Sequence, residues 1–335
     1  MGIRILKGGM LTTVQDLGRT GYQSQGFSVA GVMDVRSFKI ANLLLDNPEN
    51  EAVLEFTLIG PTLEFTSATI IAITGGDFQP TINGEPAPMY KALYMNKGDI
   101  LKFGSARTGS RGYIAFSSYL DIPVEMGSRC TNLKSRLGGF KGRKLQAGDY
   151  ITFRIKRRYL PFFLSRELEG DNFDQEETVL RVIMGPQDDL FSKQGIETFL
   201  NSEYTVTSDF DRMGCRLEGP FIAPKDTSDI ISDGIAFGSV QVPSHGKPII
   251  LLSDRQTTGG YGKIATVASV DIPKLVQRKT DHKIRFRAIT VQEAQKLYLE
   301  EVKELDEMRK TIHQPCKEVL DCRLVAKRLT KLFEC

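Results

Sequence analysis

The sequence is poor in the residues from which metal centres and disulfide frameworks are built. It has three histidines and five cysteines, and no two cysteines are spaced as C-x-x-C. An odd number of cysteines without that spacing predicts neither a disulfide framework nor a zinc site. We therefore expect no metal site, and we expect a reducing compartment, the cytoplasm.

Long apolar runs and a strong excess of one charge are also absent. No apolar stretch approaches the roughly 18 to 20 residues that a membrane-spanning helix requires, and the N-terminal residues do not form a signal-peptide pattern. The net charge is +3 over 335 residues, which is too small to indicate a nucleic-acid-binding surface. The sequence therefore predicts a protein that binds neither membranes nor nucleic acid.

The usual phosphate-binding loops are missing. No G-x-G-x-x-G follows a predicted strand, and no G-x-x-x-x-G-K-[ST] occurs anywhere, which argues against a dinucleotide-binding sheet and against a P-loop. No Met-Lys-Met biotin-acceptor motif is present either. Any biotin used in a reaction would have to arrive on another protein.

Many short strand-forming runs, separated by Gly, Pro and Asn turns, make up most of the chain. Examples in the first half are 52–57, 62–65, 69–73 and 111–116. Numerous short strands with a few helices indicate a β-barrel or sandwich. The predicted fold class is mainly β with a few helices (α+β).

Three helices are predicted from local capping signals. Residues 35–45 follow Asp34, a plausible N-cap. Residues 190–200 follow Asp188 and Asp189, which favour a helix N-terminus. The sequence from Thr290 to Glu293 is a capping box, which predicts a helix over 291–312.

The length favours two domains with separate cores. A basic stretch at 156–158 and an acidic one at 171–177 indicate a linker between them, because the charge reverses there. We predict a first lobe over 1–160, a linker over 161–178, a second lobe over 179–290 and a C-terminal helical extension over 291–335.

The stretch 238–267 carries the densest group of candidate site residues. An apolar run over 248–253 predicts a buried strand, and polar side chains follow it at once, before two glycines that allow backbone to approach a ligand closely. A rigid strand that ends in polar side chains can present chemistry, and it can equally end in a well-bonded turn. The candidates are Asp254, Arg255, Gln256, Thr257 and Thr258, with Gln241, Tyr261 and Lys263 nearby.

Other loops contribute further candidates, each with a structural alternative. Asp16 and Arg19 flank a glycine and could pair with each other instead of with a ligand. Asp34 could act as a carboxylate catalyst or simply as a helix cap. Arg129 lies in a basic, glycine-rich segment that could hold an anion or remain a solvated loop.

The chain resembles the family of the 5-oxoprolinase C subunit, whose members are also called allophanate hydrolase subunit 2, KipA-like or biotin-dependent carboxyltransferase-domain proteins. The resemblance covers about 7–287, with matching stretches in order. They read TVQDLGRTGYQ, AGVMD, ANLLLDN, LEFTLIGPTLEF, TGGDFQPTINGEP, SRCTNLKSRLGGFKGRKLQAGD, SDFDRMGCRLEGP and SVQVPSHGKPIILLSDRQTTGGYGKIA. The resemblance implies two cyclophilin-like β-barrel lobes, here followed by a C-terminal helix.

The resemblance also implies a function. The expected activity is that of the C subunit in an ATP-dependent 5-oxoprolinase, which opens 5-oxoproline to glutamate together with partners similar to its A and B subunits, the latter KipI-like. ATP with Mg is the expected cofactor of the complex. Two alternatives are a carboxyltransferase component using carboxybiotin on a partner, as in urea carboxylase, and a KipA-like antagonist of a kinase inhibitor. Biotin is expected only under the first alternative.

Roles in lactam opening follow from the same resemblance. Guanidinium groups suit phosphate or the substrate carboxylate, and carboxylates suit a base, a metal or the ring amide. The predicted catalytic residues are Asp16, Asp34, Asp254, Arg255 and Gln256. The predicted substrate-binding residues are Arg19, Arg129, Asp211, Arg212, Gln241, Thr257, Thr258, Tyr261 and Lys263.

Overall fold

The computed structural model describes residues 1–157 and 159–315, and it divides most of them between two β lobes. The first lobe contains eleven strands in that part of the chain. They are β1 Gly2–Lys7, β2 Leu11–Gln15, β3 Val53–Thr57, β4 Thr62–Phe65, β5 Thr69–Asp77, β6 Thr81–Ile82, β7 Glu85–Pro86, β8 Ala92–Met95, β9 Ile100–Lys102, β10 Thr108–Phe116 and β11 Tyr150–Thr152.

Two sheets of the first lobe enclose its core. One has the order β11-β1-β4-β9-β6-β7 and the other β2-β3-β10-β5-β8. In β1 the side chains of Ile3 and Ile5 are buried and that of Arg4 is exposed, as the two-residue period of a strand requires. Apolar residues of both sheets, among them Phe65 of the first sheet and Phe116 of the second, form one continuous core between them.

The second lobe is a closed barrel. Its strands are β12 Glu177–Met184, β13 Tyr204–Phe210, β14 Gly214–Glu218, β15 Asp229–Gly234, β16 Ser239–Gln241, β17 Ile249–Leu251, β18 Thr258–Tyr261, β19 Lys263–Val267 and β20 Lys283–Ala288. The barrel order is β12-β19-β16-β17-β14-β13-β20, while β15 and β18 pair as a separate two-stranded sheet. The predicted class, mainly β with a few helices, is confirmed.

The described helices are α1 Val35–Leu44, α2 Lys193–Asn201, α3 Ile272–Val276 and α4 Val291–Ile312. The side chain of Asp34 caps α1, as predicted. The predicted start of α2 is wrong: Asp188 and Asp189 lie in a short 3₁₀ turn, and Ser192 is the N-cap. Phe191 is extended, which ends the turn before the helix begins.

The C-terminal helix α4 returns to the first lobe. The predicted capping box of Thr290 and Glu293 forms. Ile312 is fully buried in a cluster with residues of α1, and the Arg36 guanidinium on α1 lies 2.8 Å from Glu304. The rest of the predicted extension, 316–335, lies outside the described residues, as do Cys316, Cys322 and Cys335. The predicted domain boundaries stay a prediction.

The chain between β11 and β12 packs against the first lobe. Arg166 is fully buried there, and its guanidinium donates to the carbonyl oxygens of Pro161 and Leu44 at 2.8 and 2.9 Å. It also pairs with the carboxylate of Asp46. The connection is thus fastened to the end of α1 before the chain enters the barrel.

The two lobes are docked through polar and apolar contacts. The side-chain oxygen of Gln277, just after α3, accepts hydrogen bonds from the backbone N–H groups of Ser110 and Arg111, both at 2.9 Å. Met33 of the first lobe is fully buried in the core of the second. No helix in the described part of the chain is long and apolar enough to cross a membrane.

We predict that Met33→Ala lowers the free energy of unfolding by about 2–5 kcal/mol, the usual cost of truncating a large buried side chain. The matched control is Met10→Ala, because Met10 is 54% exposed. Urea unfolding of both variants measures the difference. Equal midpoints would show that Met33 does not contribute to the docking of the lobes.

Candidate functional site

Arg212, in the turn between β13 and β14, forms a buried ion-pair cluster. Its Nε and Nη2 atoms donate to the two carboxylate oxygens of Asp254 at 3.1 and 3.0 Å. Nη1 pairs with the carboxylate of Glu55 on β3, in the other lobe. All three side chains are 5% exposed or less. Arg212 therefore binds one carboxylate from each lobe.

Glu55 also accepts hydrogen bonds from groups of the first lobe. Its Oε2 accepts from the backbone N–H of Met33 at 2.7 Å and from the Tyr113 hydroxyl at 2.9 Å. The same hydroxyl accepts from the backbone N–H of Asp34 at 2.9 Å. We call Glu55, Tyr113, Arg212 and Asp254 the interlobe cluster. A buried charge with this many partners is well satisfied.

Burial and mutual charge shift the pKa values within the interlobe cluster. Burial raises the pKa of Asp254, and Arg212 only partly offsets that effect. Burial opposes the charge on Arg212, but the carboxylates of Asp254 and Glu55 together raise its pKa. Burial raises the pKa of Tyr113 far above its ordinary value, and Glu55 adds to the effect. Tyr113 therefore acts as a hydrogen-bond donor and not as a base.

Asp34, a predicted catalytic residue, lies at the same interface. Its carboxylate accepts from the backbone N–H and hydroxyl of Ser37 at 2.9 and 2.7 Å and from the Gln277 amide at 2.8 Å. Burial raises its pKa to about 6. These contacts cap α1 and bind the segment after α3. The structure thus gives Asp34 a docking role.

A cavity of about 410 Å³ lies on the outer face of the second barrel. It is formed by β13, the β13–β14 turn, β14, β16, β17, the segment before β18, and β18 itself. Four of the predicted site residues meet there, namely Asp211, Gln241, Gln256 and Tyr261. The remaining lining residues are Ser208, Asp209, Phe210, Met213, Gly214, Arg216, Ile249 and Leu251.

Two glutamine carboxamides converge beside Gly259. A Cβ atom on Gly259 would lie 2.9 Å from Nε2 of Gln241 and 3.6 Å from Nε2 of Gln256. It would also lie 2.8 Å from Cδ1 of Ile235. The missing side chain of Gly259 leaves room for these groups; the predicted approach of a ligand to its backbone stays a prediction. Nε2 of Gln241 donates to the carbonyl oxygen of Tyr261 at 3.3 Å.

Arg255 and Lys263 hold the strands beside the cavity. Nε of Arg255 donates to the carbonyl oxygen of Ile235 at 3.1 Å, and burial lowers the pKa of Arg255. Nζ of Lys263 lies 2.8 Å from Oδ2 of Asp233 on β15, and this hydrogen bond lowers the pKa of Asp233. Both cations therefore fasten the chain around β15.

The two predicted threonines belong to the same edge of the second lobe. The carbonyl oxygen of Thr257 accepts from the backbone N–H of Ile235 at 3.0 Å. Thr258 opens β18, is exposed and pairs with Gly234 of β15. The structure places Thr258 in the two-stranded sheet and Thr257 directly before it, and neither contributes to the cavity wall.

The other three predicted residues of the first lobe, apart from Asp34, form a separate group. Asp16 accepts from the Ser128 hydroxyl and the backbone N–H of Arg129, both at 2.6 Å. Nη2 of Arg19 donates to the carbonyl oxygen of Cys130 at 2.7 Å, and Nε of Arg129 donates to that of Ile122 at 3.1 Å. These contacts fasten a loop, and none of the three residues lines the cavity.

The sequence alone did not indicate several residues of the interlobe cluster and of the cavity. Glu55 lies in an apolar strand in which every residue from Val53 to Phe56 is buried, and a charge within such a run is the signal that could have found it. Arg216 and Asp209 of the cavity resembled ordinary surface charges. Asp233 and Gln187 both accept hydrogen bonds from Lys263, and no local sequence pattern indicated either residue.

A family model, the carboxyltransferase domain with subdomains A and B, matches residues 25–288. The chain belongs to this family of two-lobed β proteins. It is also similar to two proteins that are each named as the C subunit of 5-oxoprolinase. That of Haemophilus influenzae is 34% identical over 302 residues, covering 90% of this chain and 96% of the relative. That of Escherichia coli is 32% identical over 311 residues, covering 93% and 99%.

Solved structures support the fold. The urea amidolyase of K. lactis superposes with a TM-score of 0.85 at 28% identity, covering 96% of this chain and 20% of that one. The Kluyveromyces lactis urea carboxylase gives the same TM-score and covers 94% of this chain and 30% of the other. This chain therefore spans about a fifth to a third of those enzymes.

We predict that Gly259→Ala shifts the side-chain amide NMR signals of Gln241 and Gln256 and costs about 1–3 kcal/mol of stability, because the added methyl overfills the space beside them. Gly234→Ala in the paired strand is the matched control, since a Cβ there meets nothing within 4 Å. Unchanged amide signals in Gly259→Ala would contradict the convergence of the two carboxamides.

Proposed function

We propose that this chain is the C subunit of an ATP-dependent 5-oxoprolinase that hydrolyses 5-oxoproline to glutamate in the cytoplasm, together with partners similar to the A and B subunits of that enzyme. The observation that carries the proposal is the match to the Haemophilus influenzae 5-oxoprolinase C subunit over 96% of that protein. A match over nearly the whole of a relative supports a shared role better than a match to one part of a larger enzyme.

The cavity suits a small lactam. Two carboxamides can donate to a carbonyl oxygen and accept from a ring N–H. Oδ1 of Asp211 accepts from the backbone N–H groups of Met213 and Gly214 at 2.8 and 3.1 Å, which fixes this carboxylate at the cavity wall. In this proposal, the Asp211 carboxylate contacts the ring N–H or holds a proton during ring opening.

Under this proposal, ATP and Mg²⁺ are cofactors of the whole complex. In residues 1–157 and 159–315, no three His, Cys, Asp or Glu side chains are grouped so that they could hold a metal ion. ATP would supply phosphorylation of the lactam oxygen, which makes the carbonyl carbon electrophilic. This chain would bind and orient the lactam.

Carboxyl transfer from carboxybiotin on a partner is the second candidate function. The superposition on the urea amidolyase and urea carboxylase, each with a TM-score of 0.85, favours it. The urea and biotin ureido groups present the same planar N–H and C=O pair as a lactam. The carboxamides of Gln241 and Gln256 could therefore bind either kind of ligand, so they do not distinguish between the two functions.

Reconstitution tests the proposal. The two partner proteins, similar to the A and B subunits, are incubated with ATP and 5-oxoproline, and glutamate is measured with this chain either added or omitted. We expect glutamate only when the chain is added. Equal glutamate formation without it would contradict the proposal. Transfer of carboxyl from carboxybiotin to urea, with no glutamate formed, would favour the second candidate.

A further inference from the structure

Arg216 is the one cationic side chain among the described residues that line the cavity. It lies on β14, where Cys215 and Leu217 point into the barrel core. By the alternation of a strand, Arg216 points outward. Its side chain is 60% exposed, and Nη1 lies 3.1 Å from Oδ2 of Asp209.

One edge of this guanidinium remains available. Within the described residues, Nη1 is the atom of Arg216 that donates a side-chain hydrogen bond, and it donates to Asp209. The Nε and Nη2 atoms form the edge that binds a carboxylate with two parallel hydrogen bonds. Asp209 thus pairs with Nη1 at the cavity and leaves the Nε–Nη2 edge without a side-chain partner among the described residues.

The carboxamide of Gln241 lies two strands away on the same face of the barrel. Ile249 of β17 is directly opposite Arg216 of β14 and also directly opposite Gln241 of β16. Residues in register point to the same face of a sheet, so Arg216 and Gln241 flank Ile249 on the outer face. Two strand spacings separate their backbones by about 10 Å, and both side chains line the cavity between them.

The carboxamides have unused hydrogen-bonding capacity. Gln256 makes no side-chain hydrogen bond to the part of the chain that the structure describes, and Gln241 uses only Nε2. A planar N–H and C=O pair would satisfy them, since each carboxamide offers both a donor and an acceptor.

We propose that the cavity binds a small lactam that carries a carboxylate, with Arg216 as the specificity residue for the carboxylate and Gln241 and Gln256 as partners of the lactam. This inference rests on the proposed function and adds a residue to it. Arg216 distinguishes a carboxylated lactam from a neutral lactam or from urea, because only the former has an anionic group for the free guanidinium edge.

The test is a calorimetric titration of the full chain with 5-oxoproline and with 2-pyrrolidinone, the same ring without a carboxylate. Arg216→Gln should weaken 5-oxoproline binding at least tenfold, the usual scale for a charge-assisted pair, and leave 2-pyrrolidinone binding unchanged. Arg216→Lys should retain part of the affinity. Arg4→Gln is the matched control, because Arg4 is a strand residue with one ion pair and 54% exposure, and it should bind like the unmodified chain.

Three results would overturn the inference. The first is that Arg216→Gln binds 5-oxoproline as tightly as the unmodified chain. The second is that Arg216→Gln loses affinity for both ligands equally while its unfolding midpoint is unchanged. The third is that the unmodified chain does not bind 5-oxoproline. The titration needs neither ATP nor partner proteins. Arg216-dependent binding combined with failed glutamate formation would therefore support the ligand class and contradict only the proposed activity.

Discussion

The junction of the two lobes depends on one buried guanidinium. Arg212 is 5% exposed and sits between Asp254 of its own lobe and Glu55 of the other. Withdrawing such charges from water costs several kcal/mol per ion, and only closely fitted partners offset that cost. Separating the lobes would leave Glu55 without its cation. The cluster therefore favours one fixed arrangement of the two lobes over any alternative.

The positions of the cavity residues depend on the same cluster, although no described residue of the first lobe lines the cavity. Asp211 and Met213 are the sequence neighbours of Arg212, and Gln256 follows Asp254 by two residues. Backbone hydrogen bonds from Asp254 to the carbonyl oxygen of Arg212 and from Leu252 to that of Met213, at 2.8 and 2.9 Å, join the two loops. A carboxylate on β3 thus helps to position side chains of a cavity that it does not line.

Local signals in the sequence were sufficient for much of the fold and for part of the site. Strand alternation, the Asp34 cap and the Thr290 capping box act over a few residues, so they could be predicted. The polar run after a buried strand pointed to Gln256, which the structure places on the cavity wall. The pairing of Arg212 with Glu55 could not be predicted, because the two are 157 positions apart. Arg216 was missed because its place on the cavity wall depends on the strand register around Ile249.

The most direct measurement is amide hydrogen exchange in Glu55→Gln, with Glu64→Gln as control, because the Glu64 side chain is partly exposed. If Glu55 fixes the second lobe through Arg212, the backbone amides of Leu252 and Asp254 will exchange faster in Glu55→Gln and remain protected in the control. Exchange that accelerates only at Met33 and along β3 would contradict the account, because the effect would then stop at the lobe that carries the substitution.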